Sequence, residues 1–335
     1  MKYIIVTDTH LGIKKGNDIY LQCNINLFYT ICKYAKDNNI PGFIHAGDFF
    51  DTRKSLSLKV IEIAQLIMSN IENTFDSIYM IIGNHDTYLK NQIYPSSLSI
   101  FKEHEKVVII DKPYLIGNMV LIPWLFDKKV LDMDADTCIG HFDINGIEMN
   151  SSGFIPLHQN LNISDFKNFK KVFSGHYHVS SQNSNIKYLG SPMQFTFNEI
   201  NQTTGFYVYD SKTLKLDFIE FNNYPKHVIF NENYDPSESE IKNNNVKLIF
   251  TKDYGFDKNT SIINNITAKK PNSLKIVYFD LNDTMTNENI EDSLLVKSKQ
   301  DILFDFYKKS DLPDGIKYDI LKKIVNNLSK EIKGD

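Results

Sequence analysis

The chain has 335 residues and a mass of 38.8 kDa, which at ~100–200 residues per domain argues for two or three units. Apolar residues make up 42% and charged residues 23%, values that exclude wholesale disorder, a collagen-like chain and a membrane bundle. A formal net charge of −4 excludes a simple basic nucleic-acid-binding domain, whose phosphate contacts need a Lys/Arg surplus, although a bound metal would change that balance locally.

From the N-terminus, Lys2 to Val6 reads as a buried strand. Its apolar run is short and Asp8 follows at once, so no signal peptide is expected. Phe28, Ile31, Cys32 and Ala35 recur at helical spacing and predict a helix over Asp18 to Asn38. Gly42 to Ala46 is the next strand, Leu58 to Ile71 a second helix and Ile78 to Ile82 a third strand. Pro95 opens a predicted shorter helix running to about His104. Strands follow at Val107 to Ile110, Met119 to Pro123, Thr137 to Ile139 and Lys171 to Phe173. Lys187 to Leu189, Gly205 to Tyr209 and Leu216 to Phe221 close this β-rich region, and the alternation argues for an α/β layer fold.

Composition shifts near Asn222, and Asn222 to Asn245 reads as a boundary followed by loops. Val246 to Phe250 and Leu274 to Phe279 flank a helix-like Asn259 to Ala268, which makes a small α/β unit. After a polar stretch, two helices are expected, Ile290 to Lys308 and Ile316 to Lys333. Each carries an apolar stripe that so short a pair cannot bury alone. No segment approaches the ~18–20 apolar residues that span a bilayer. Cys23, Cys32 and Cys138 are too few and too odd in number for a disulfide framework, so a reducing cytoplasm is expected.

Five short motifs fall at the ends of predicted strands: Asp8-Thr9-His10, Gly47-Asp48-Phe49-Phe50-Asp51, Gly83-Asn84-His85-Asp86, Gly140-His141 and Gly175-His176-Tyr177-His178. Ligands collect beyond the carboxyl ends of strands in α/β sheets, so all five can converge on one place. Five of the nine His lie in these motifs. Carboxylates and imidazoles without thiolate suit Mn, Fe, Zn or Ni. Two metals ~3.5–4 Å apart need a bridging carboxylate, and Asp48 is the natural candidate. A Gly before Asp48, Asn84, His141 and His176 lets the backbone turn sharply.

In this order the motifs resemble the calcineurin-like metallophosphoesterase superfamily over Lys2 to about Phe221. His45 to Asp51 followed by Arg53, the Gly83 to Asp86 motif, and Leu189-Gly190-Ser191-Pro192-Met193-Gln194-Phe195-Thr196-Phe197-Asn198-Glu199 look like the SbcD-type nuclease subunits for DNA repair and recombination. Gly140 to Gly146 looks most like the phage branch. The resemblance implies a metallophosphoesterase β-sandwich flanked by helices (1–221), a small α/β capping domain that positions DNA (222–285) and a helical ATPase-binding tail (286–335).

It further implies a two-metal DNA nuclease, 3′→5′ on double strands and endonucleolytic on single strands. Two divalent ions are implied, with Mn²⁺ favoured and Mg²⁺ an alternative. Asp8, His10, Asp48 and His178 would hold the first, and Asp48, Asn84, His141 and His176 the second. His85 would act as the acid on the leaving oxygen, with Asp86 orienting it. Asp51 would order its loop or serve the phosphate, and Arg53 would either contact the phosphate or bind backbone carbonyls as a structural residue. Implied partners are DNA, an SbcC-type ATPase gripped by the tail, and a second copy of the chain. Leu98, Ile100 and Phe101 with Ile61, Leu66 and Ile67 supply either that dimer contact or ordinary core. The rival readings are a calcineurin-like phosphatase or cyclic-nucleotide phosphodiesterase, and a silent DNA-end-binding scaffold. Outside the motifs, His45 reads as packed beside the site and His104, His158 and His227 as surface residues. Trp124 and Phe126 read as core rather than base-stacking residues, and Phe195 and Phe197 either flank DNA or pack a strand.

Overall fold

The computed structural model describes residues 1–147 and 161–278. His158 and the two expected C-terminal helices lie outside the described residues. In chain order the strands are β1 (Lys2–Val6), β2 (Gly42–His45), β3 (Ser77–Ile81), β4 (Val107–Ile110), β5 (Tyr114–Ile116), β6 (Met119–Ile122), β7 (Thr137–His141), β8 (Ile144–Asn145), β9 (Leu161–Asn162) and β10 (Lys171–Gly175). They continue as β11 (Ser181–Asn183), β12 (Ile186–Tyr188), β13 (Gly205–Asp210), β14 (Lys215–Glu220), β15 (His227–Asn231), β16 (Asn245–Phe250) and β17 (Ser273–Tyr278).

Two six-stranded sheets form the larger unit, Met1–Val228 with Asn243–Asn245. One runs β14-β13-β1-β2-β3-β4 and the other β11-β12-β10-β7-β6-β5. β1 to β4 are parallel neighbours, as are β12, β10, β7 and β6, so their carboxyl ends gather at common edges. Alternation sets the layers. Ile4 and Val6 of β1 join a core with Leu27, Phe28 and Ile31 of the helix Asp18–Asp37 and Val60, Ile67 and Met68 of the helix Leu58–Glu72. Tyr3 and Ile5 point the other way, into an inter-sheet core with Leu121, Ile139 and Phe173. The outer face of the second sheet is covered by Leu131, Ile147, Phe166 and Phe169 from loops and short turns. Truncating a ring such as Phe43, fully buried under both helices, would cost about 3–5 kcal/mol.

The helices match the predicted periodicity because Asn17 and Ser57 cap them with side-chain oxygens, and because each buries one stripe. The helix expected after Pro95 is instead one 3₁₀ turn, Ser97–Phe101. Ser96, Ser97 and Ser99 compete for backbone groups, and the buried pair Leu98 and Phe101 sits at the three-residue spacing of that turn. The stretch from Asn222 is also not all loop, since it contains β15.

The smaller unit comprises Ile229–Lys242 and the chain from Val246 on. The chain here forms a three-stranded sheet, β15-β16-β17, and the helix Phe256–Ala268. Leu248, Phe250, Ile266 and Val277 are buried in it. No helix among the described residues is long and apolar enough to cross a membrane.

Candidate metal centre

The loops after β1, β2 and β3 and the ends of β7 and β10 bring the motif residues together. Strand β7 runs two residues further than predicted, so His141 is its last residue, paired in register with Gly175. The first two loops are zipped by backbone hydrogen bonds: Asp8 N to Gly47 O (3.0 Å), His10 N to Asp48 O (3.2 Å) and Leu11 N to Phe49 O (2.8 Å). Asp8, His10, Asp48 and His176 all hold positive φ, at 51°, 43°, 55° and 90°. Non-glycine residues take that conformation at a cost, and it concentrates at functional sites. Of the four glycines expected to turn the chain, only Gly47 has positive φ (100°). Gly83, Gly140 and Gly175 provide room instead: a Cβ on Gly83 would meet Asp48 at 2.3 Å and one on Gly175 would meet Thr7 at 2.1 Å.

Three donor groups result among the described residues, each with ligand atoms within 4.8 Å of one another: Asp8, His10 and His178; Asp48, His141 and His176; and His10, Asp51 and His85, of which the first two hold the expected ligands. Asp48 Oδ2 lies 3.8 Å from His10 Nε2 and 3.3 Å from His141 Nε2, between the first two groups, while its Oδ1 accepts from the His85 backbone N–H at 2.7 Å. Asn84 closes the second group, its amide oxygen 2.9 Å from His141 Nε2 and 3.1 Å from His176 Nδ1.

The ring nitrogens test whether cations fit. His141 Nδ1 donates to the Ala46 carbonyl and His178 Nδ1 to the Glu199 carboxylate, both at 3.0 Å. In a neutral ring the opposite Nε2 is then a bare lone pair. Those lone pairs face acceptors: Asp48 Oδ2 and the Asn84 oxygen around His141, and Asp8 Oδ1 at 4.0 Å from His178. His178 Nε2 is also 3.0 Å from His10 Nε2. With the Asn84 amide turned over, its nitrogen would donate into this cluster and its oxygen accept from Arg53 Nη2 at 2.9 Å; with a cation in the cluster, the oxygen is the atom that would face it. Without one, a proton takes that place. Burial pulls His141 down, but the charge and hydrogen bond of Asp48 outweigh it and raise His141 to about 9. Burial likewise opposes charge on Asp48, yet His141, His10 and His85 hold its carboxyl well below the usual range. Burial, with His141 beside it, pushes His176 down to about 3, which leaves a neutral ligand.

Around this centre, His85 is half-buried with its Nδ1 donating to the Asp51 carbonyl at 2.6 Å. This overturns the expectation that Asp86 orients His85. Asp86 is turned away and accepts backbone N–H groups from Gly83 and Asp48 (2.9 Å each), Phe50 (3.1 Å) and Phe49 (3.4 Å). Its work is to tie the Asp48 loop to the Asn84 loop. Burial, with Asp48 nearby, pushes its carboxyl up to about 6. Asp51 Oδ1 sits 3.5 Å from His10 Nδ1, and Arg53 reaches the Asn84 amide. His45 is fully buried with Nε2 3.0 Å from the Thr9 hydroxyl, and burial keeps it neutral at about 3.

Glu199 is the functional residue that sequence reasoning missed. It is buried, accepts from the Phe195 N–H (2.6 Å), the Thr196 hydroxyl (3.1 Å) and His178, and so fixes the His178 tautomer. Burial disfavours its charge, but His178 and these donors hold the carboxyl below its ordinary value.

Several residues outside the motifs lie elsewhere than expected. His227 is buried against Phe197, and His104 is half-buried between Glu72 and Gln65. Phe195 is buried with its ring 5.6 Å from both His10 and His178, which removes it from any DNA-facing surface. Leu98, Phe101 and Ile67 are core, while Leu66 is exposed. Trp124 is only partly buried and stands at the rim, its ring 5.1 Å from His176 and 6.0 Å from His141.

Comparison with known proteins gives a consistent result. The chain is 29% identical over 295 residues to exonuclease subunit 1 of Enterobacteria phage T4, covering 83% of this chain and 84% of that protein. It is 23% identical over 338 residues to the SbcD component of the SbcCD nuclease of Staphylococcus saprophyticus, covering 87% and 89%. A shorter match, 25% over 154 residues, covers 45% of this chain and 23% of the DNA double-strand break repair protein Mre11 of Methanosarcina acetivorans. The model of the calcineurin-like phosphoesterase family matches residues 1–251, and with its mixed α/β sheets the chain belongs to that family of hydrolases.

Proposed function

We propose that this chain is a metal-dependent DNA nuclease, with 3′→5′ exonuclease action on duplex ends and endonuclease action on single strands. The observation that carries this reading is the convergence of seven donor residues, Asp8, His10, Asp48, Asn84, His141, His176 and His178, with His85 beside them, in a chain whose relatives are named as nucleases. Bound divalent ions, Mn²⁺ or Mg²⁺, would activate water and neutralise charge on the phosphoryl group. Asp48 would contribute to both positions. Asp8, His10 and His178 would hold one ion with it, and Asn84, His141 and His176 the other. The Asp51 carbonyl holds a proton on His85 Nδ1, so His85 presents Nε2 to the substrate; with both ring nitrogens protonated it would pass the Nε2 proton to the leaving 3′-oxygen and return to the neutral Nδ1–H ring. Arg53, beside Asn84, supplies a fixed charge for the phosphate.

The wider organisation belongs to the same proposal. Residues 222–285 form a cap that positions DNA, and residues 286–335 carry the contact to an SbcC-type ATPase. The protein works as a homodimer in the cytoplasm, in double-strand-break processing and recombination. An end-labelled duplex incubated with Mn²⁺ tests the core of this. Stepwise shortening that stops on chelation is expected. Cleavage of a nitrophenyl phosphodiester with intact DNA would instead make the chain a small-molecule phosphodiesterase.

A further inference from the structure

A second cavity opens beside the metal centre and shares a wall with it. His141, whose Nε2 faces the centre, also lines this cavity, together with Trp124, Leu125, Phe126, Phe142 and Asp143. Trp124 is held in place at two points. Its backbone N–H donates to Ile82 O at 2.9 Å, just before the loop that carries Asn84 and His85. Its ring lies over His176 at 5.1 Å, inclined by 41°. Phe126 packs on the buried Phe142 at 5.6 Å, so the aromatic wall has a rigid backing.

Two charged side chains line it besides His141: Lys128, whose ammonium is paired with Asp165 at 2.7 Å, and Asp143. Asp143 takes the Tyr177 hydroxyl on Oδ1 at 2.6 Å. Its Oδ2 lies 3.8 Å from His176 Nε2, too far for a hydrogen bond, which leaves an acceptor available. Phosphate charge belongs at the metal ligands, so what occupies the adjoining space is flat, apolar on its face and carries N–H donors at its edge. A nucleobase has that chemistry, and aromatic side chains bind every base by its π-face.

We propose that Trp124 and Asp143 form a nucleobase subsite for the nucleotide next to the scissile phosphate, an inference that rests on the nuclease reading above. Trp124 provides the stacking face and Asp143 accepts from the base edge. The subsite makes a nucleotide a better occupant than any other phosphoester.

Trp124 is the sole tryptophan of the chain, so its fluorescence reports this subsite directly. Titration with deoxyadenosine monophosphate should quench it saturably, and deoxyribose 5-phosphate should leave it little changed. Equal responses to the two would overturn the proposal. In cleavage, Trp124→Ala should lower kcat/KM on ordinary DNA by about 5- to 150-fold, the range of one lost base stack. DNA with an abasic nucleotide at the cleaved step should be cut by variant and parent within about twofold of each other, since no stack is there to lose. Trp124→Phe, which keeps a π-face, should recover most of the loss. Equal loss on both DNAs would make Trp124 a prop for His176 and contradict the subsite. If the parent protein leaves all DNA intact, the nuclease reading fails on its own, and the nucleotide titration still decides whether a base is bound.

Discussion

The two halves of the candidate metal centre each pair two rings with an oxygen, a carboxylate in one and an amide in the other, and hold them by different means. In the half built from Asp8, His10 and His178, carboxylates stand behind the rings: Glu199 on His178 at 3.0 Å and Asp51 near His10 at 3.5 Å. In the half built from Asn84, His141 and His176, the sheet itself does much of this. His141 is the last residue of a central strand, fully buried, and its outer nitrogen rests on a backbone carbonyl. Each half has one ring open to solvent, His178 at 27% and His176 at 17%, beside one that is buried, His10 and His141. Ligands held by side chains can be loosened by one substitution, whereas ligands held by backbone yield only when the loops move. Asp48 belongs to both halves, and Asp86 decides whether the second half keeps its shape.

Substitutions can break this comparison at graded strengths. Asp48→Ala removes the group common to both halves, so both ions should be lost together. Loss of several kcal/mol of metal stabilisation should lower activity by at least ~10³-fold. Metal analysis after dialysis reads this, and a full two-ion complement would refute bridging. His85→Ala touches neither half and should slow the chemical step by ~10²–10⁴-fold with both ions retained. An activated nitrophenyl phosphodiester, whose leaving group hardly needs a proton, should be hurt less than DNA. Loss of an ion here would move His85 into the ligand shell with His10 and Asp51.

Asp86→Ala leaves buried backbone donors of Gly83, Asp48 and Phe50 without their acceptor. At ~1–3 kcal/mol for each buried orphan, destabilisation of about 3 kcal/mol or more is expected in thermal or denaturant unfolding. An unchanged midpoint would show that the Asp48 loop is held by something else. Glu199→Gln has the smallest effect and sharpens the comparison most. An amide cannot accept from both His178 and the Phe195 N–H, so one contact must fail. Affinity for one ion should fall by ~10–100-fold while the other is spared, as calorimetric titration with Mn²⁺ would show. Equal weakening of both ions would erase the distinction between the halves. Thr196→Ala serves as the control, since it removes a neighbouring hydrogen bond without touching His178.

Much of this centre was legible from residue order. Asp8, His10, Asp48, Asn84, His141, His176 and His178 each stand at or just beyond an apolar strand, and parallel strands end at a common edge. The convergence of these side chains therefore follows from local pattern plus one topological rule. What stayed hidden depends on chain segments that meet only in the folded state. Glu199 reaches His178 across 21 residues, through a 3₁₀ turn that no periodicity announces. Asp86 read as a partner for its neighbour His85, because the return of the Asp48 loop over it is a tertiary event. Trp124 follows a buried strand and so read as core, although the strand ends before it and leaves the ring at the rim. Gly83, Gly140 and Gly175 carried a correct signal with a different cause, close packing rather than left-handed backbone.

If Asp48 holds two ions side by side in one centre, electron paramagnetic resonance of the metal-free protein titrated with Mn²⁺ should show two ions per chain at saturation and a spin-coupled spectrum that Asp48→Ala abolishes. A single bound ion, or two with the spectrum of isolated Mn²⁺, would contradict it.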